Sequence, residues 1–397
     1  MNRSVVTLCL AEALSLIGAF AFPALLPNFR AAWQLSNFEA GWIAGIFFLG
    51  YALFVPVLTS LTDRIDAKHI FVSGAAMTAV GIGGFALFAQ GFWTAMLFRL
   101  LGGIGLAGIY MPGLKALVDR LEGPHQARAI SFYTASFSLG TMLSFLFIGE
   151  LGERVGWQNA FGLAALAAVL ALFLAQSLPA CVPKSAPETS GHLLDFRPIW
   201  RNRPAMGYVL GYASHMWELF VFRSWVVAFL VFAKGDDPLA NTLTPTFVAT
   251  LAALMAMGCS LLGADLALRF ERRRICGWAM VLSGTFGLLF GQTACLPYWL
   301  AALAAVVYGG LIQLDSAALT TGAILLASPG RQGATAALHS LLGFAAAFFG
   351  PLAHGALLDL LGGGASTRSW WLAFAASGCV ALMGPIALSW GRHRARG

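Results

Sequence analysis

The chain has 397 residues, of which 59% are hydrophobic and only 10% charged, with a mean hydropathy of +0.77. A soluble domain carries about 25% charged residues to cover its surface, so this composition excludes a water-soluble enzyme or binding module. The net charge of +7 does not indicate nucleic acid, because the basic residues sit in short segments between apolar runs, where they act as topology signals.

Apolar runs of about 20 residues, enough to cross a bilayer, fall near 5–27, 38–60, 70–90, 92–118, 127–150 and 157–179. A second set falls near 204–233, 243–264, 273–294, 297–325, 331–357 and 368–391. The first run follows Met1-Asn2-Arg3 and precedes many others, so it is expected to be a retained span and not a leader. The pattern predicts an all-α membrane protein of twelve transmembrane helices in two pseudo-symmetric six-helix bundles. The bundles are 1–179 and 204–397, joined by a polar linker over 180–203.

Placing both termini in the cytoplasm gives the inner segments seventeen Lys and Arg, including Arg128, Lys184, Arg392, Arg394 and Arg396. The outer loops then hold four: Arg30, Arg154, Lys234 and Arg368. That asymmetry favours the cytoplasmic assignment. A weak internal repeat supports the two halves. Asp63 to Lys68 aligns with Leu268 to Arg273, Gly102-Gly103 falls near Gly309-Gly310, and Glu12 and Glu218 occupy matching positions.

The six cysteines form no C-x-x-C pair, which argues against a metal centre or a disulfide framework. Neither a P-loop nor an H-E-x-x-H sequence occurs, so ATP hydrolysis and zinc chemistry are not expected and no cofactor is implied.

A charge at mid-bilayer costs roughly 2.5–3.5 kcal/mol and usually faces a cavity or a partner. The intramembrane candidates are Glu12, Arg99, Lys115, Glu218, Arg223 and Asp315, with His215 and His339 as titratable neighbours. Glu12 and Glu218 are each either a carboxylate that exchanges a proton or one locked in a helix-to-helix bond. His215, Glu218, Phe222 and Trp225 share a helix face, as a ligand wall or as plain packing. Arg223 points about 140° away from Glu218. Arg99 suits an anionic group or a backbone carbonyl. Lys115 lies near a span end and can snorkel out. Asp315 sits two residues after Gln313 and close to Gly309-Gly310, a small-residue setting that suits a tight polar site.

The loop Thr59-Ser60-Leu61-Thr62-Asp63-Arg64-Ile65-Asp66-Ala67-Lys68 resembles the G-x-x-x-D-R-x-G-R-K motif of the major facilitator superfamily, with Thr59 and Asp66 in place of its glycines. Arg99 to Ala107 resembles that family's R-x-x-x-G-x-G-x-A pattern. The resemblance implies a central substrate site between two rocking bundles and a coupling role for Arg99. It also implies a cytoplasmic gate built from Asp63, Arg64 and Lys68, with Asp265 and Arg269 as the counterpart. The compact length is similar to the smaller bacterial members, which reside in the inner membrane.

The expected function is therefore secondary active transport of a small organic solute by alternating access, coupled to protons. Glu12, Arg99, His215, Glu218, Arg223 and Asp315 form the coupling set, and Phe222 and Trp225 the cavity aromatics. Three acids against two arginines and a terminal lysine leave both a small anion and an organic cation open as cargo, the anion slightly ahead. A receptor-like protein that moves nothing is the remote alternative. Beyond solute, protons and lipid, no partner is expected, and the chain is expected to act as a monomer.

Overall fold

The computed structural model describes residues 3–121, 125–182, 196–329 and 331–391, apart from the side chains of residues 125, 127, 128 and 131. Most of the expected linker lies outside the described residues, with Lys184, Arg392, Arg394, Arg396 and the side chain of Arg128. No β-strand occurs among the described residues, and the fold is the all-α membrane architecture that the apolar runs predict.

The first apolar stretch is not one helix. It breaks into α1 (Arg3–Leu16), α2 (Ala21–Ala24) and α3 (Leu26–Trp33), which corrects the continuous span expected over 5–27. Pro23 and Pro27 each lack the N–H that a continuing helix needs. Next come α4 (Asn37–Leu61), α5 (Ala67–Phe88), α6 (Phe92–Asp119) and α7 (His125–Leu143). One π-type turn, Ser144–Gly149, leads from α7 into α8 (Glu150–Val155), and α9 (Trp157–Gln176) follows.

After a short α10 (Arg197–Arg201), the second half contains α11 (Arg203–Lys234), α12 (Pro245–Arg269) and α13 (Arg272–Phe290). The span expected over 297–325 is also interrupted, as α14 (Tyr298–Gln313) and α15 (Ser316–Leu325). The chain closes with α16 (Gln332–Leu360), α17 (Thr367–Ala381) and α18 (Met383–Trp390). Eleven stretches among the described residues are long and apolar enough to cross a membrane, and the interrupted first stretch makes a twelfth apolar segment.

Two compact units emerge, Met1–Leu35 with Ile46–Thr189, and Ser36–Gly45 with Ser190–Gly397. The first ten residues of this second grouping belong to the stretch at the start of α4, which the sequence pattern assigns to the N-terminal bundle.

In the first unit α5 packs along both α6 and α9, and α1 along α7 and α9. Small residues permit this close approach, as lipid-embedded helices require. A Cβ on Gly103 of α6 would overlap the carbonyl oxygen of Phe47 on α4. In the second unit α11 packs along α16, α12 along α14, and α13 along α17. Gly263 of α12 lies against the Leu314 carbonyl, where α14 ends.

Two outcomes follow from this packing. Gly103→Val forces a side chain into backbone and should lower stability by about 1–3 kcal/mol, the usual cost of overpacking, read as a lower melting temperature in detergent. Cys295 is exposed and Cys181 half-buried, on opposite sides of the expected topology. A maleimide that cannot cross membranes should label Cys295 in intact cells and reach Cys181 only after permeabilisation; the reverse pattern would invert the orientation.

Candidate functional site

Glu218 lies in α11, 2% exposed. Its Oε1 accepts a hydrogen bond from the Tyr308 hydroxyl of α14 at 2.9 Å, and its Oε2 accepts one from the Ser283 hydroxyl of α13 at 2.9 Å. Both partners are neutral, and both can donate or accept. A guanidinium or ammonium would hold such a buried carboxylate ionised. A pair of hydroxyls serves it in either protonation state, because each can turn to accept from a carboxylic acid.

One turn earlier on α11, buried His215 places Nδ1 2.7 Å from Oδ1 of Asp315. Asp315 occupies the break between α14 and α15. Although it precedes the first residue of α15, its side chain makes no capping bond there; the carboxylate is turned to His215 instead. A further turn back, Tyr212 stacks on His215 with ring centroids 5.8 Å apart and on His339 at 3.8 Å. The His339 Nε2 lies 3.2 Å from the Thr320 hydroxyl. Three-residue spacing brings Tyr212, His215 and Glu218 onto one side of α11. Glu218 and Asp315 lie within electrostatic reach of each other.

Phe222, Trp225 and Arg223 lie further along α11. Phe222 packs edge-on to Tyr308, ring centroids 5.2 Å apart. Trp225 is fully buried, donates Nε1–H to the Pro351 carbonyl at 3.1 Å and lies 5.3 Å from the His354 ring. Arg223 is buried, with its guanidinium 5.7 Å from the Phe220 ring centroid.

In the first unit Glu12 is fully buried, and neither carboxylate oxygen has a hydrogen-bond partner among the described residues. Tyr133 lies within electrostatic reach of Glu12, Tyr110, Cys9 and Tyr51. Its hydroxyl donates to the Ile109 carbonyl at 3.0 Å and does not bind the acid. Arg99 donates Nη1–H to the Ala19 carbonyl at 2.8 Å and sits 4.4 Å from the Phe47 ring centroid. Ala19 lies in the break between α1 and α2, where the neighbouring Phe20 amide donates to Ser144 at 3.1 Å. Lys115 pairs with Asp119 one turn on, at 2.6 Å.

The expected gate residues separate. The amides of Asp63 and Arg64 bond the Ser60 and Leu61 carbonyls, and their side chains show no hydrogen-bond or ion-pair partner among the described residues. Lys68 donates to the Leu178 carbonyl at 2.7 Å. Asp265 pairs with Arg269 at 2.8 Å along α12, and both are more than half exposed, where such a pair contributes little. The hub is Asp66. Its carboxylate accepts from Arg120 at 2.7 Å, from the Lys68 amide at 2.9 Å and from the Cys181 amide at 2.8 Å. Arg120 also donates to the Pro179 carbonyl at 2.8 Å, so the chain leaving α9 is tied to two loops. Burial pushes the Asp66 carboxyl upward, but the bonds from Arg120 and the two amides outweigh it and hold the group below the usual value.

Sequence reasoning missed Asp66, Ser283, Tyr308 and Tyr212. Asp66 carried a local signal, an aspartate at the start of a helix. The hydroxyl residues carried none, since serine and tyrosine are ordinary inside apolar spans.

The family model of the Major Facilitator Superfamily matches residues 8–264. The chain belongs to the major facilitator superfamily. Among curated members it is 24% identical to human protein spinster homolog 1 over 59% of this chain and 47% of that protein. It is 27% identical to the putative niacin/nicotinamide transporter NiaP of Bacillus subtilis (strain 168), over 47% of this chain and 44% of that one. The chain thus matches about half the length of these members of the superfamily. A bacterial homologue of the human lysosomal transporter spinster, solved inward-facing and unoccupied, superposes with a TM-score of 0.77 at 18% identity. That match covers 98% of this chain and 95% of the other. A mutant of the nucleoside transporter NupG gives 0.76 at 13% identity, over 98% and 100%. At these identities the structural likeness shows the superfamily fold.

The Asp66 cluster yields a signed pH expectation. A lowered carboxyl contributes stability at pH values above the ordinary aspartate value of 3.8, and loses it as pH falls through the lower folded value. Asp66→Asn should melt below wild type at pH 7, and the gap should close only under strongly acidic conditions. A gap unchanged from pH 7 to pH 3 would exclude the ionised carboxylate as its source.

Proposed function

We propose that this protein is a proton-coupled secondary transporter that carries a small organic anion by alternating access, with Glu218 as the principal proton-exchanging group. The observation that carries the reading is the hydroxyl cage. Tyr308 and Ser283 satisfy both oxygens of a buried carboxylate without a cation, which keeps loading and unloading of a proton close in cost. The neighbouring Asp315–His215 pair supplies a second acid and a base that can take a proton when Glu218 gives one up. Membership of a transporter superfamily supports the class of activity. The putative niacin/nicotinamide transporter among the relatives, one of whose two named solutes is a small carboxylic acid, supports the anion, with buried Arg223 as its counter-charge.

In this reading the protein acts as a monomer in a bacterial cytoplasmic membrane with both termini inside. Binding of solute and proton changes which conformation is favoured, to the extent that each binds the two conformations differently. One feature favours an organic cation as a second reading. Glu12 is a buried carboxylate with neither oxygen bonded, a setting that a protonated amine would complete.

The deciding experiment uses purified protein in proteoliposomes under an imposed pH gradient, with labelled small aromatic acids in one arm and lipophilic amines in the other. Wild type should accumulate the acid only with the gradient. Glu218→Gln should keep solute exchange at zero gradient and lose gradient-driven accumulation, whereas accumulation at the wild-type level would remove Glu218 from the coupling step. Uptake or expulsion of amines alone would replace the anion reading with the cation one.

A further inference from the structure

The start of α11, the start of α13 and the end of α18 converge on one glycine. The carbonyl oxygen of Arg203 and the Cα of Gly207 lie 2.9 and 3.1 Å from the position a Cβ on Gly391 would take. Arg273, on α13, donates Nη2–H to the Gly391 carbonyl at 3.1 Å. The Arg203 guanidinium carbon lies 5.8 Å from the ring centroid of Trp390, a cation–π distance. Tyr208 lies within electrostatic reach of Arg272 and Arg273 and shares a hydrogen bond with the latter. Three arginines from two helices are therefore gathered at one corner of the second unit.

Acid does not neutralise this corner. Asp265 is taken by Arg269 and Glu271 by Arg274, while Arg203, Arg272 and Arg273 have no ion-pair partner among the described residues. The sequence then continues past Gly391 with three more arginines in six residues. Apolar surface adjoins the charge: Trp390 is 48% exposed, Trp278 72% and Phe270 61%. Tryptophan beside arginine at a span end is the composition of a membrane interface.

We propose that this junction binds the phosphate of an anionic phospholipid headgroup in the leaflet on the basic side of the protein. The planar guanidinium presents paired donors that match phosphate oxygens. Each cation near an anionic leaflet adds to the attraction. A free phosphate ion would use the same donors, but would leave the tryptophan and phenylalanine surface unused. The lipid satisfies both, its headgroup on Arg203 and Arg273 and its chains along the exposed rings.

The test uses full-length protein in nanodiscs of phosphatidylcholine, with dioleoyl-phosphatidylglycerol added at increasing mole fraction and inorganic phosphate as the soluble comparison. Phosphatidylglycerol should raise the melting temperature and remain bound in native mass spectra, with binding weakened in 1 M salt by screening. Arg203→Gln with Arg273→Gln should weaken that binding roughly 30-fold, from about 1 kcal/mol per cation. Arg269→Gln, which removes an exposed cation already paired with acid, should leave it within about twofold of wild type. Equal binding by wild type and the double variant, binding insensitive to salt, or the same stabilisation from inorganic phosphate alone would each overturn the lipid site. Should the double variant fail to fold in phosphatidylcholine, the salt response and phosphate comparison on wild type decide the matter unaided.

Discussion

Inside an apolar layer, a helix that stops leaves amides and carbonyls that lipid cannot satisfy, so the protein must close them with its own groups. Among the described residues, two of the breaks inside apolar stretches have polar side chains gathered at them. Between α1 and α2 the closure is made by Arg99 on the Ala19 carbonyl and by Ser144 on the Phe20 amide. Between α14 and α15 the residue at the stop is Asp315, whose carboxylate faces His215. A buried arginine and a buried aspartate, each costly alone, become affordable where the backbone has already broken the apolar regularity.

The same constraint explains why the acids of the two units differ. Glu218 accepts one bond on each oxygen from a neutral hydroxyl, whereas Glu12 has neither oxygen met among the described residues. A buried polar group without a partner is expensive. Glu12 is the buried carboxylate for which the described residues provide no such bond.

At the ends of the spans the chemistry changes from sealed to wet. Asp66 gathers Arg120 and the amides of Lys68 and Cys181, tying the exit of α9 to the loops before α5 and after α6. Arg203 and Arg273 meet at Gly391 beside an exposed tryptophan. Charge at these ends fastens segments of chain to one another through short bonds.

The sequence alone determined the membrane class, the apolar segments and the short list of buried ionisable residues. Each is set by a one-dimensional quantity, run length or the cost of a charge in lipid. It also named the family, because motif residues near 59–68 and 99–107 lie close together in the chain. Only tertiary structure decided which groups surround each charge. Ser283, Tyr308 and Asp315 come to α11 from residues 65 to 100 positions away, and helical spacing within one span carries no information about another. Run length did not mark the breaks near residues 17–20 and 314–315, although Pro23 and Pro27 follow the first and Asp315 stands at the second. At the first break, Arg99 and Ser144 come from elsewhere in the chain to close the freed backbone groups.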